Sequence, residues 1–332
     1  MKNKTELLKK HILFIIITVS MCVAPLFTNA YQLRILISAA LAMIFAMSLN
    51  LLMGIGGTVS FGHAAFYSIG AYTTAVLWYH FKTPYSTNFI PVILITGLAG
   101  LLLSLPMSRI TGRYVTIITL SFAEIVNLII KNWDPVTLGQ MGIVGIPSVN
   151  LFGHVLKDKK EFFYLTMLFV ILTYIIMNWL VDSKLGRNLR AISNDAIAAE
   201  AMGIKIFPYK VIVFTISAIF AGIAGSLYAH LMSYVEPATF NANLSFECIS
   251  MVVIGGLGNF AGTMVGALFL KILPEYLRQF EFLFKYRMIA YGLVLVIVMW
   301  INHSIPGTKM KNAVMSRVNA LFNRKGQKAQ EA

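Results

Sequence analysis

From Ile35 to Phe81 the chain contains no Asp, Glu, Lys or Arg. A run of that length cannot dress a water-facing surface. It leaves room for two bilayer crossings, each needing about 20 mostly apolar residues. Further charge-free runs cover 83–108, 162–181, 211–235, 248–270 and 288–308, and residues 114–130 are apolar apart from Glu124. Of the 332 residues, 58% are hydrophobic and 12% charged. That is about half the roughly 25% charge of an average soluble protein, and the mean hydropathy is +0.76. The balance excludes a soluble globular enzyme and a disordered chain. The fold class it predicts is an all-α polytopic membrane protein.

Read as spans, the apolar segments give about ten transmembrane helices (8–10), at 11–27, 33–53, 60–80, 89–107, 114–130, 163–181, 210–232, 246–257, 260–273 and 288–302. The eighth and ninth are short for crossings, and Gly255-Gly256-Leu257-Gly258 between them predicts broken or re-entrant helices. Such backbone is tolerated at membrane depth only where it is buried in protein or lines a cavity. With both termini cytoplasmic, the inner segments hold 17 Lys and Arg and the outer ones 10, the sense the positive-inside rule requires. This gives a basic tail at 1–10, one transmembrane domain at 11–304 with a cytoplasmic loop at 182–210, and a second basic tail at 305–332. The net charge of +14 is then that of lipid-facing cytoplasmic ends, not a nucleic-acid surface. Lys2, Lys4, Lys9 and Lys10 before an apolar stretch also fit a secretory signal, with Thr28-Asn29-Ala30 as a weak cleavage site. The length of the run, and the span close behind it, favour a retained helix.

No reaction chemistry is legible. There is no GxxxxGK[ST] loop, HExxH, GxSxG or Asp-rich cluster, and Cys22 and Cys248 both lie in apolar runs. The expectation is a non-enzyme with no metal, catalytic residue or cofactor of its own. If ATP and Mg²⁺ drive it, another chain uses them. The histidines, His63 in a span among them, read more readily as packed or interfacial than as ligands.

Three features stand out against the apolar background. The first is Gly54-Ile55-Gly56-Gly57-Thr58-Val59-Ser60-Phe61-Gly62-His63, in which four glycines in nine residues break a helix; Ile254-Gly255-Gly256 repeats Ile55-Gly56-Gly57 after 199 residues. Matched glycine-broken segments in two halves mark either a translocation site or close helix packing through small residues. Ser60 and His63 are pathway candidates beside Gly54, Gly56, Gly57, Gly255, Gly256 and Gly258. The second is Glu124. At 100° per residue, Thr116, Thr119, Glu124 and Asn127 share an arc of roughly 140°, a polar stripe expected to turn inward toward a pathway or a partner chain, with Glu124, Asn127 and Thr119 as pathway or gating candidates and structural hydrogen-bonding as the other reading of Glu124. Glu247, near the mouth of a short span, reads as interfacial. The third is the stretch 185–204, which reads as a cytoplasmic helix capped by Asn194 or Asp195 and ended by Gly203. Its Ile192, Ile197 and Met202 lack an obvious cover within the chain, so it would lie on the membrane or in a partner's groove.

These blocks together resemble one family. Gly57–Phe66 with Gly70-Ala71-Tyr72, Gly112-Arg113-Tyr114 through Thr119–Ile125, Gly186-Arg187 through Ala198–Ile204, and Met251–Gly258 occur in the order found in permease subunits of branched-chain amino-acid ABC importers, specifically the longer of their two permease types. Relatives carry a TGGxxG-like turn after the fifth span; here it is Thr137-Leu138-Gly139-Gln140-Met141-Gly142. The resemblance implies a multi-pass protein of the bacterial inner membrane that passes Leu, Ile or Val. It implies pairing with a second homologous permease, two cytoplasmic ATPase subunits and an external solute-binding protein. It also makes Asp195, Ala196, Ala199, Glu200, Ala201 and Gly203 the helix that couples to the ATPase. A urea or short-amide importer permease is the alternative within the family, and an ion-coupled secondary transporter the alternative outside it. A self-sufficient carrier would have no use for the exposed 185–204 helix.

Overall fold

The computed structural model describes residues 4–107, 110, 113–151, 153–156, 158–278 and 292. The chain divides after Leu273 into two units, and the bundle described below belongs to the first. Of the second, Pro274–Arg278 continue the final helix and Gly292 is helical. The span expected at 288–302 and the tail at 305–332 fall outside the described residues.

Among the described residues there are twelve α-helices: α1 (Lys4–Val23), α2 (Ala30–Asn50), α3 (His63–Phe81), α4 (Tyr85–Met107), α5 (Arg113–Asn132), α6 (Asp134–Thr137), α7 (Lys159–Asp182), α8 (Lys184–Asn194), α9 (Ala196–Ala201), α10 (Ile206–Met232), α11 (Ala242–Gly255) and α12 (Phe260–Arg278). Among the described residues five segments are long and apolar enough to cross a membrane: Ala30–Ile55, Tyr85–Met107, Tyr114–Asn132, Lys159–Asp182 and Ile206–Met232. The protein is thus an all-helical, multi-pass membrane protein. Two boundaries depart from expectation. The helix read as 11–27 begins at Lys4, inside what the sequence suggested was a tail. The last short span, read as 260–273, runs on to Arg278.

A helix that is apolar on every side has no face to give to water, so it belongs at the centre. Residues 39–50 of α2 are buried without exception. α10 packs on α2, α3 and α4; α7 and α11 pack on α2, and α5 packs on α3. Close approach between α3 and α10 depends on small residues: a Cβ on Gly70 would overlap the backbone of Gly222, and one on Gly225 would overlap the Tyr67 carbonyl. α4 and α5 lie further out, and only 33% and 28% of their most apolar stretches are buried.

The two ends of the bundle differ. One carries the loop 133–158, whose strand β1 (Ile143–Val144) pairs antiparallel with Tyr234–Val235 just beyond α10. The strands Asn150–Leu151 and His154–Val155 form a small ribbon in the same loop. The other end carries both glycine turns and α8–α9. Ser183 makes the corner between α7 and α8: its Oγ donates to the Leu180 carbonyl (2.6 Å) and accepts from Leu185 N (3.1 Å). α8 then buries Gly186, Leu189 and Ile192, one face at helical spacing.

Candidate functional site: a paired glycine crossing

At the foot of α2 the helix widens. Gly56 N–H reaches back five residues to the Leu51 carbonyl (3.1 Å) and Thr58 N–H reaches six, to Leu52 (3.2 Å). A single wide turn of this kind inside a helix is uncommon and gathers at functional sites. Gly57 then takes a φ of +65°, which ends the helix. Across from it α11 stops at Gly255, and Gly256 (φ +94°) and Gly258 (φ +76°) turn the chain into α12. The two turns touch. A Cβ on Gly54 would overlap the Gly258 backbone nitrogen, so this contact requires that Gly54 lack a side chain.

Asn50 closes the crossing. Its Oδ1 accepts from Gly258 N (2.8 Å), and its Nδ2 donates to Thr263 Oγ1 (2.7 Å) and, more weakly, to the Gly256 carbonyl (3.4 Å). The side chain is fully buried with acceptor and donors all engaged. Sequence reading missed both Asn50 and Thr263. The available signal was an amide within a charge-free run, one helical turn before the first glycine.

The rest of the first turn is held from three sides. His63, at the start of α3, is buried, stacks on Phe45 (ring centroids 5.1 Å apart) and sets Nε2 2.8 Å from Ser48 Oγ. Ser48 donates its own proton to the Phe45 carbonyl (2.7 Å), so Nε2–H of His63 is the donor in that pair. Phe61 N–H donates to Thr119 Oγ1 (3.1 Å), which docks α5 on the turn. Ser60 Oγ and His63 Nδ1 are buried with no hydrogen-bond partner among the described residues. On the third side, a Cβ at Gly57 would run into the Ser193 side chain near the end of α8.

The polar stripe of α5 is divided. Thr119 and Asn127 are buried, Thr116 is half-buried, and Glu124 is exposed. Asn127 Nδ2 donates to the carbonyls of Pro237 (2.9 Å) and Phe240 (3.2 Å), tying α5 to the turn before α11. Helical geometry accounts for the split: Thr119 and Glu124 sit at opposite edges of the 140° arc, so a surface that covers one leaves the other bare. Within this chain Glu124 therefore faces out of the bundle, not into it.

The 185–204 stretch is two helices, not one. Asp195 Oδ1 accepts from Ile197 N and Ala198 N (both 3.0 Å) and caps α9, while Gly203 at φ +81° ends that turn. Ile192 and Ala199 are covered by the chain, Ala196 is half-buried, and Glu200 and Ala201 are exposed. Ile197 and Met202 remain 82% and 83% exposed. α8 is anchored by Asn188 Nδ2, which donates to Tyr209 Oη (2.5 Å) on α10. No group of three His, Cys, Asp or Glu able to hold a metal occurs among the described residues.

A bundle of apolar helices, broken at a crossing of two glycine turns and carrying an exposed two-helix arm at that end, is the architecture of a polytopic membrane protein. The family model described as branched-chain amino acid transport system / permease component matches residues 31–299. The chain belongs to that family. It is 31% identical over 333 residues to the high-affinity branched-chain amino acid transport system permease protein LivM of Escherichia coli (strain K12), covering 91% of this chain and 78% of the relative. It is 25% identical over 246 residues to the LivH permease protein of the same strain, covering 69% and 79%. It is 24% identical over 231 residues to the ribose import permease protein RbsC of Haemophilus influenzae, covering 66% and 69%. No solved structure matches the chain significantly.

Proposed function

We propose that this chain is a membrane-spanning subunit of an ATP-binding-cassette importer and forms part of the pathway for leucine, isoleucine and valine. The observation that carries the reading is the similarity over nine-tenths of the chain to a branched-chain amino-acid permease, together with a glycine crossing that abuts the exposed helical arm. The chain crosses the bacterial inner membrane about ten times, with both termini and α8–α9 on the cytoplasmic side, and residues 11–304 are the transport domain. It binds no cofactor and hydrolyses nothing. ATP and Mg²⁺ are used by two ATPase subunits, and an external binding protein delivers the solute.

In this reading α9 seats in an ATPase. Asp195 fixes its start, Gly203 its end, and small Ala196 and Ala201 keep it slim, while Ile197, Glu200 and Met202 face the partner. Nucleotide-driven closure can move the pathway only through an element whose position differs between the inward- and outward-facing states. The close approach of Ser193 to Gly57 offers that link, since it sets the end of α8 against the turn at the foot of α2. Glu124 lies within an apolar span, where a carboxylate facing lipid costs at least about 2.5 kcal/mol. Its exposed face is therefore the one that meets a second permease and the shared pathway.

The test is uptake of radioactive leucine, urea and ribose in cells with and without this chain. Loss of leucine uptake alone is expected. Unchanged leucine uptake with lost urea or ribose uptake rejects the solute assignment. Leucine accumulation by the purified chain under an ion gradient, without any ATPase, rejects the importer.

A further inference from the structure

A second polar feature lies away from the glycine crossing. Lys271 Nζ on α12 sits 2.8 Å from Glu247 Oε1 on α11, and both side chains are 28% exposed. They line a cavity of about 350 Å³ between α2, α10, α11 and α12, within the range of small-molecule sites. Leu41, Ala42, Phe45 and Met251 form one wall, while Tyr228 and Asn243 lie toward the loop end of the bundle.

Two opposite charges are seldom placed half-buried among apolar membrane helices for stability alone, because desolvation offsets part of their attraction. In membrane helices such groups mark ligand pathways by default. The complement of this cavity is specific. A carboxylate and an ammonium held side by side match a molecule that carries an ammonium and a carboxylate on one carbon. The apolar wall beside them matches an aliphatic side chain. Insertion of such a molecule replaces one ion pair by two and leaves the net charge of the cavity unchanged.

We infer that this cavity is a binding site for an apolar α-amino acid in its zwitterionic form, with the ligand ammonium on Glu247, its carboxylate on Lys271 and its side chain against Leu41, Phe45 and Met251. The assignment rests on the reading that amino acids pass through this chain, and adds a resting place for them inside it. Glu247, which the sequence suggested was interfacial, then becomes one half of a recognition pair. Lys271, in an otherwise apolar stretch, becomes the other.

The test uses the complex purified with its partner permease and ATPases in lipid nanodiscs. Cys22→Ser and Cys248→Ala remove the two native thiols, and Asn243→Cys places a reporter at the cavity mouth. The rate of methanethiosulfonate labelling is measured with leucine, with isovalerate, which lacks the ammonium, and with isopentylamine, which lacks the carboxylate. Saturating leucine should slow labelling by roughly tenfold and each singly charged analogue by less than about twofold, as expected when both charged contacts are needed. Lys271→Met and Glu247→Gln should each abolish the leucine effect. Protection by leucine no greater than by the analogues overturns the site, and so does undiminished protection in both charge variants. If those variants do not assemble, the comparison of the three ligands on the intact pair decides alone. ATP-driven leucine import by the unmutated complex with its binding protein is read separately: absent import there rejects the functional reading, and import without protection rejects only the cavity.

Discussion

Asn50 on α2 and Thr263 on α12, 213 positions apart in the chain, share a buried 2.7 Å hydrogen bond that fastens two glycine turns to one another. Because Asn50 Oδ1 also accepts from Gly258 N–H, one side chain satisfies groups that the break between two helices leaves without partners. Two broken helices can meet this closely because freed backbone groups of the one find a partner in a side chain of the other.

Asn50→Ala should therefore lower thermal stability in detergent markedly, by about 1–3 kcal/mol, since Gly258 N–H and Thr263 Oγ1 lose a buried partner. Thr263→Val should cost less, and the double variant should cost less than the sum. Melting curves of the four proteins give the coupling directly, and strict additivity would show that the pair is not linked.

Gly54→Ala should destabilise by about 1–3 kcal/mol, since the added methyl overlaps Gly258 and Asn50 and the neighbour is backbone that cannot rotate away. Gly256→Ala meets no atom within 4 Å. Its cost is confined to holding φ at +94°, about 1 kcal/mol. The same melting assay separates the two; equal effects would refute the crossing as drawn.

Glu124 and Asn127 should behave oppositely, although three residues apart on one helix. Asn127→Ala removes two hydrogen bonds to the 237–240 turn and should reduce stability. Glu124→Ala removes an exposed group, so insertion and melting should be close to wild type while leucine transport falls several-fold. Wild-type transport by a normally inserted Glu124→Ala protein would leave that residue without a pathway role.

Glu200→Lys and Gly203→Val should insert normally and lose ATPase co-purification and transport. Glu200 is exposed, so its reversal acts on the partner alone. Gly203 holds φ +81° with open space where a Cβ would stand, so valine there strains the end of α9 by about 1 kcal/mol or more without a clash. Full ATPase association and uptake in the double variant would overturn the coupling assignment.

The sequence by itself determined the class and most of the helices. Charge-free runs leave a chain no alternative to burial in lipid or in itself, and the glycines at 54–57 and 255–258 forecast where helices break, because that information is local. The cap at Asp195 and the stop at Gly203 were legible for the same reason. Only the tertiary structure decided which broken ends meet, since Asn50 finds Thr263 through packing across 213 residues and no spacing encodes it. It also split the α5 stripe, burying Asn127 and leaving Glu124 outside, because a 140° arc is wider than the contact one neighbouring helix can cover. The pairing of Glu247 with Lys271 was hidden likewise. Glu247 is the only charge in α11, Lys271 has Glu275 one turn away in its own helix, and nothing in the spacing pairs Glu247 with Lys271 before α11 and α12 fold back on each other at the glycine turn.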